Sequence, residues 1–96
     1  MRVEILDEAE QDLLDGFGFY EAQGQGLGNY FLDSLFSDID SLQLYAGIHS
    51  RHLGYYRLLS RRFPYAIYYR VAKQAVRVHA VLDCRRDPEW IGDRLG

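Results

Sequence analysis

Cysteine is nearly absent from the sequence, since Cys84 is the only one among 96 residues. A single cysteine excludes an internal disulfide and leaves no cluster of thiolates for a zinc site. The chain also lacks a run of about eighteen apolar residues, which a membrane-spanning helix needs, and a secretory type of amino terminus. We therefore expect a cytoplasmic globular protein without a metal, a cofactor or a membrane contact.

Basic residues are also scarce in the first half of the chain, where Arg2 stands against ten acidic residues among positions 1–48. Positions 49–96 reverse this balance with ten basic and four acidic residues, so the halves carry about −9 and +6. The length fits one domain over residues 1–96 with a single hydrophobic core. A basic surface attracts polyanions or acidic partner segments, but the two halves could equally neutralise each other inside that domain.

The amino-terminal half predicts a strand followed by two helices. Polar and apolar residues alternate over 2–6, as in a half-buried strand, and Asp7 with Glu10 has the pattern of a helix N-cap. A helix over 7–22 then has a buried apolar stripe and a solvent-facing acidic side. The stripe is Ala9, Leu13, Phe17 and Tyr20, and the acidic side is Glu8, Asp12 and Asp15.

A glycine-rich segment at 23–28 separates this helix from the next. Its G-x-G-x-G pattern resembles a phosphate-binding loop, but that fingerprint requires a strand before the glycines and here a helix precedes them, so we interpret the segment as a turn. Helical spacing resumes over 27–46, with an apolar side formed by Phe31, Leu35, Ile39, Leu42 and Ala46. Two helices joined by a short turn form an antiparallel hairpin.

The second half is rich in strand-forming residues. It predicts strands over 55–59, 63–71 and 75–82, joined by short connections that favour an antiparallel meander. The helical hairpin would cover one face of this sheet, which gives an α+β two-layer sandwich of order β-α-α-β-β-β. Asp87 and Pro88 have the pattern of a helix start, so a short helical turn ends the chain with Trp90, Ile91 and Leu95.

Residue parity assigns the strand side chains to two faces, because alternate residues of a strand point to opposite sides. The core face takes the apolar residues Phe63, Tyr65, Ile67, Tyr69, Val71, Val76, Val78, Ala80 and Leu82. The other face presents to solvent Arg57, Tyr68, Arg70, Arg77, His79 and Asp83. We interpret His79 as a surface histidine and Cys84 as a small buried side chain on the opposite side.

The element order and three motifs resemble the RelE/ParE superfamily of bacterial toxins from type II toxin–antitoxin pairs. The motifs are Arg61-Arg-Phe-Pro-Tyr-Ala-Ile-Tyr-Tyr-Arg-Val71, Val78-His-Ala-Val-Leu82 and Arg85-Arg-Asp-Pro88. The likeness covers nearly the whole chain and is closer to the ParE branch than to the RelE branch. It implies a toxin with roles in growth inhibition and plasmid stabilisation, held by an antitoxin in a hetero-oligomer.

The two branches imply different activities. RelE-like members cleave messenger RNA on the ribosome, whereas ParE-like members inhibit DNA gyrase. RelE-like nucleases place an arginine where this chain has Ala66, and many relatives have a histidine where it has Asp83. Ribosome-dependent nucleases also have a tyrosine or histidine near the end of the chain, where this sequence offers Trp90, which cannot act as an acid or base. These differences favour a toxin that binds gyrase over an enzyme.

We therefore expect a ParE-like toxin that acts through contacts with its target. The expected contact residues for the target or the antitoxin are Arg57, Arg61, Arg62, Tyr68, Arg70, Arg77, Asp83, Arg85, Arg86 and Trp90. The arginine doublet either forms local ion pairs with its neighbouring aspartates or belongs to the toxic surface. The alternatives are a non-toxic relative that only binds an antitoxin, and a ribosome-dependent endoribonuclease that would use Arg70, Arg77, His79 and Arg85.

Overall fold

The computed structural model describes residues 1–96 and divides them among five strands and four helices. In chain order these are β1 (Arg2–Ile5), α1 (Asp7–Glu21), α2 (Leu27–Asp40), α3 (Leu42–Tyr45), β2 (Arg51–His52), β3 (Tyr55–Leu59), β4 (Tyr65–Ala72), β5 (Ala75–Asp83) and α4 (Pro88–Leu95). The predicted α+β fold with an amino-terminal strand, a helical hairpin, a sheet and a short terminal helix is confirmed. None of the helices combines the length and the apolar character that crossing a bilayer requires.

The strands form one sheet of order β1-β5-β4-β3-β2. The meander β3-β4-β5 is antiparallel, as the short connections predicted, and the two-residue strand β2 extends it at one edge. β1 pairs with β5 in parallel, from Arg2 opposite Ala75 to Ile5 opposite Val78, so the sheet is mixed. The helical hairpin is part of the long connection between β1 and β5, which a parallel pair requires.

The helical hairpin packs α1 against α2 at close range because glycines lie where the helices meet. A Cβ atom on Gly16 would lie 2.4 Å from the ring of Phe31, and one on Gly28 would lie 2.6 Å from the ring of Phe17. No side chain other than glycine fits those separations without a shift of a ring. Each glycine costs the helix about 1 kcal/mol of propensity relative to alanine, and the close packing of the aromatic rings offsets that cost.

The main core lies between this hairpin and one face of the sheet. Its buried members from the helices and strands are Ala9, Leu13, Phe31, Leu35, Ile39, Leu42, Tyr65, Ile67, Tyr69, Val76, Val78 and Val81. Three details of the helices differ from the sequence-based predictions. Asp7 is the first residue of α1 rather than its cap, because Leu6 still pairs with the carbonyl of Val78. The predicted second helix is interrupted at Ser41, and Asp12 is buried rather than solvent-facing.

A β-bulge in β5 changes which residues of this strand face the helical hairpin. Tyr68 lies opposite Ala80 and Tyr69 opposite Val78, so His79 is an extra residue in β5. Parity is inverted after the bulge. Val81 therefore joins the main core, whereas Ala80 and Leu82 point to the other face of the sheet. The prediction that placed Ala80 and Leu82 on the core face was wrong for this reason.

Asp83 was assigned to the wrong face for the same reason. It pairs across the sheet with Tyr65, on the side of the helical hairpin, and it lines a cavity with residues of α1. The bulge therefore separates Asp83 from Arg70 and Arg77, with which parity had grouped it.

The terminal helix α4 covers the second face of the sheet at one end. Ile91 and Leu95 pack there with Tyr55, Ala66, Tyr68, Ala80 and Leu82 in a second buried cluster. The Asp87 side chain accepts a hydrogen bond from the Glu89 backbone N–H, which confirms the predicted cap. Tyr68 is only 1% exposed beneath this helix, so its predicted exposure was wrong. Sequence parity identified its face correctly but gave no information on what covers that face.

Candidate functional site

Apart from Arg57 and Tyr68, the residues predicted to form a contact surface lie in three separate places. The first, which we call the hairpin cluster, contains Arg70, Arg77 and His79 near the turn between β4 and β5. The second, which we call the terminal cluster, lies at the end of β5 and in the segment after it, and it contains Asp83, Arg85, Arg86, Trp90 and Arg94. Arg61 and Arg62 stand alone in the loop between β3 and β4.

The hairpin cluster is held by one aromatic ring and one acidic residue. Arg70 lies directly opposite Arg77 in the antiparallel pair, and its guanidinium stacks 4.0 Å from the centre of the Tyr55 ring. The Arg77 guanidinium contacts the carboxylate of Glu4 on β1 at 3.3 Å. Burial, followed by the charges of Arg70 and Arg77, lowers the pKa of His79, so its imidazole is neutral at neutral pH.

Arg85 and Arg86 in the terminal cluster take different partners. Arg85 forms a bidentate ion pair with Asp83, with N–O distances of 3.0 and 2.7 Å, and its backbone N–H also donates to that carboxylate at 2.8 Å. The hydrogen bond from the Arg85 side chain is the main reason that the pKa of Asp83 is lowered. Arg86 instead stacks its guanidinium 3.8 Å from the centre of the Trp90 ring and leaves its charge exposed to solvent.

Arg94 is a member of this cluster that the sequence did not indicate. Its two terminal nitrogens donate to the two oxygens of Asp12 at 2.8 and 2.9 Å. Asp12 also accepts a hydrogen bond from the backbone N–H of Val81 at 3.0 Å. Val81 lies beyond the end of the pairing between β1 and β5. The carboxylate therefore joins α1, β5 and α4. No local pattern could have indicated the pair, because Asp12 and Arg94 are 82 positions apart.

A cavity of about 410 Å³ opens between α1 and α4 beside this ion pair. Phe19 and Tyr65 form its aromatic wall, and Trp90 lies at the side of α4. Burial raises the pKa of Tyr65 to about 12, so this phenol stays protonated and can donate a hydrogen bond.

Arg57 and Cys84 lie together near the second buried cluster. The Arg57 guanidinium donates to the Cys84 sulfur at 3.7 Å, and both side chains are half-buried. Cys84 is on the same side of the sheet as Leu82, as parity had indicated, but after the bulge that side is covered by α4 and not by the helical hairpin. With Arg57 in this contact and Tyr68 buried, neither forms part of the freely exposed surface.

The chain is similar to known proteins in both sequence and fold. The family model for the ParE toxin of the type II toxin–antitoxin system parDE matches residues 3–88. The chain belongs to the ParE toxin family. Its fold is also similar to a solved structure described as the chromosomal ParDE toxin–antitoxin system from P. aeruginosa, with a TM-score of 0.77 and 20% identity over 84% of this chain and 92% of that one. No curated protein sequence shows significant similarity to the chain.

Membership of the ParE family confirms the predicted resemblance and its closer branch. The four residues named for the endoribonuclease alternative are divided between two clusters. Arg70, Arg77 and His79 are near one another, but Arg85 follows the far end of β5. Asp83 lies six positions after Arg77 along the strand, a distance of about 20 Å at the usual rise. Arg85 and Arg77 therefore lie toward opposite ends of β5.

Proposed function

We propose that this ParE family member is the toxin of a type II toxin–antitoxin pair, that it inhibits DNA gyrase by binding, and that an antitoxin encoded beside it neutralises it. The observation that supports binding over RNA cleavage is the position of α4. Ala66 is fully buried in the cluster that contains Ile91 and Leu95 of α4, and it stands where RelE-like nucleases place an arginine. A phosphate could not reach that position without displacement of α4.

The terminal cluster is the surface that we assign to the target. Arginine and tryptophan are the residues that most often dominate the free energy of protein–protein binding, because each combines a large contact area with a polar group. Arg86 and Trp90 are stacked on each other at this surface, so their side chains are already ordered before the partner binds. Ordering before binding reduces the entropy cost of association.

The first experiment is expression of the chain in its host, with and without the adjacent reading frame. We expect growth arrest when the chain is expressed alone and normal growth when the neighbour is expressed with it. Unimpaired growth without the neighbour would leave only the non-toxic, antitoxin-binding alternative.

Purified gyrase tests the target directly. We expect the wild-type protein to block supercoiling of relaxed plasmid DNA. Arg86→Ala should raise the concentration needed for half-inhibition about tenfold, as loss of a strong contact residue does. Lys73→Ala removes an exposed charge at the turn between β4 and β5 and is the matched control. Supercoiling that persists in excess wild-type protein would exclude gyrase as the target.

One observation favours the ribonuclease alternative: His79 is held neutral beside two arginines, which suits a general base next to a phosphate-binding group. That alternative predicts cleaved messages after induction, mapped by primer extension. It also predicts that Arg70→Ala with Arg77→Ala abolishes cleavage while the Arg86→Ala protein still cleaves. Intact messages during growth arrest would eliminate it.

A further inference from the structure

A polar cleft lies between α2 and the loop that joins β3 to β4. We call it the α2 cleft. Its volume is about 540 Å³, and its lining residues are Tyr30, Asp33, Ser34, Ser37, Asp38, Arg61 and Arg62. The members from α2 recur at three- and four-residue intervals, so they form one stripe along the helix. Arg61 and Arg62 form the opposite wall.

The loop that carries these arginines is fixed at both ends. At one end, Ser60 donates its hydroxyl to Asp38 at 2.8 Å and its backbone N–H to the carbonyl of Tyr65 at 2.8 Å. At the other end, the Phe63 ring packs 4.8 Å from Tyr20 and 5.2 Å from Phe31. The cleft is therefore formed before any ligand enters it.

The α2 cleft contains polar groups that have no hydrogen-bond or ion-pair partner within the protein, although the Arg62 guanidinium lies 5.9 Å from the centre of the Tyr30 ring. Ser34 is 6% exposed, and its hydroxyl makes no hydrogen bond. Arg61 and Arg62 form no ion pair, although the carboxylates of Asp33 and Asp38 line the same cleft. A buried hydroxyl without a partner costs stability, and two guanidiniums without an ion-pair partner are free to donate hydrogen bonds to a planar anion.

We propose that the α2 cleft receives a single acidic side chain from a peptide partner. The carboxylate would accept hydrogen bonds from Arg61 and Arg62, and the adjoining peptide would supply a partner for the Ser34 hydroxyl. Asp33 and Asp38 on the other wall repel a run of negative charges. The cleft therefore selects an isolated glutamate or aspartate over a polyanion such as RNA. The identity of the partner as the antitoxin rests on the proposed function.

A peptide titration tests the chemistry of the cleft without the antitoxin. The probe is a short blocked peptide with one central glutamate, and its glutamine counterpart is the control ligand. Binding to the ¹⁵N-labelled protein is followed by NMR. We expect shifts centred on Ser34, Arg61 and Arg62 with the glutamate peptide only. Shifts spread over all the arginines, or stronger binding of oligouridylate at this cleft, would overturn the proposal.

Variants separate a local contact from a general attraction of charge. Arg61→Ala with Arg62→Ala should weaken the glutamate peptide about tenfold, as the loss of charge-assisted hydrogen bonds does. Arg51→Ala with Lys73→Ala removes the same charge elsewhere and should leave the affinity unchanged. Ser34→Ala should weaken binding about threefold without lowering the urea midpoint, since its hydroxyl has no partner in the free protein. Equal affinities for the two double variants would refute the assignment.

The same variants are then titrated with the purified product of the adjacent reading frame. We expect the double substitution at positions 61 and 62 to weaken the affinity of that complex about tenfold, and the control double substitution to leave the affinity unchanged. Tight binding to all variants alike would overturn the proposed cleft and leave the antitoxin pairing intact. Absence of binding to the wild-type protein would instead remove the antitoxin as the partner, and the peptide titration would still decide the chemistry of the cleft.

Discussion

Replacing Asp12 by alanine should weaken the attachment of α4 to the rest of the protein. The carboxylate is 8% exposed, and it accepts two hydrogen bonds from Arg94 and one from the Val81 backbone N–H. The Arg94 side chain keeps 27% of its exposure, so water can partly replace its lost partner. We assign about 1.5–2 kcal/mol to that pair, below the range for fully buried pairs.

The Val81 N–H has no such compensation. It is buried, and its loss of an acceptor costs about 1.5–2 kcal/mol. The expected decrease in the free energy of unfolding is therefore about 3–4 kcal/mol for Asp12→Ala. Asp12→Asn keeps an oxygen that can accept from Val81, so it should cost only the loss of the charged pair, about 1.5–2 kcal/mol.

Urea unfolding measures both values. The chain has one tryptophan, Trp90, which lies in α4, so its fluorescence reports on the docking of that helix. Circular dichroism reports on the whole fold in parallel. With a slope typical of a small domain, Asp12→Ala should lower the midpoint by about 2–3 M.

The control for this experiment is Asp15→Ala in the same helix. Asp15 is exposed, and its carboxylate accepts one hydrogen bond, from Gln11 at 2.9 Å. Its removal should change stability by no more than about 0.5 kcal/mol. If Asp12→Ala lowers the midpoint no further than Asp15→Ala, the assigned role of the Asp12 carboxylate is refuted. Because α4 carries Trp90 and Arg94, Asp12→Ala should also weaken gyrase inhibition.

Two further predictions concern packing and pH. Gly16→Ala should destabilise the fold by about 1–3 kcal/mol, because the added Cβ would collide with the Phe31 ring. Gly18→Ala should stabilise the fold by up to about 1 kcal/mol, because the space around the added Cβ is open. Equal urea midpoints for the two variants would contradict this. Burial lowers the pKa of His49 and His79 from 6.5, so the unfolded chain binds more protons near that pH. The contribution of these histidines to the free energy of unfolding should therefore be fully present above pH 6.5 and should decrease as the pH falls below it. Replacing both histidines by glutamine should make the urea midpoint less dependent on pH across that range.

The sequence by itself determined the elements and most of their faces. Periods of 3.6 and 2 residues are properties of the local backbone, so they located α1 and α2 and placed Tyr65, Ile67 and Tyr69 on the core face of β4. The cap at Asp87 also involves only neighbouring residues, and it was predicted correctly. The ParE family likeness was visible because its motifs are continuous in the chain.

Only the tertiary structure decided which of these faces are exposed and which charges are paired. The bulge at His79 inverts parity in β5, and α4 buries Tyr68, which alternation alone could not foresee. Asp12 and Arg94 meet from opposite ends of the sequence. The unpartnered Ser34 hydroxyl likewise depends on where the loop after β3 crosses α2. These features depend on contacts between distant segments, which local periodicity does not encode.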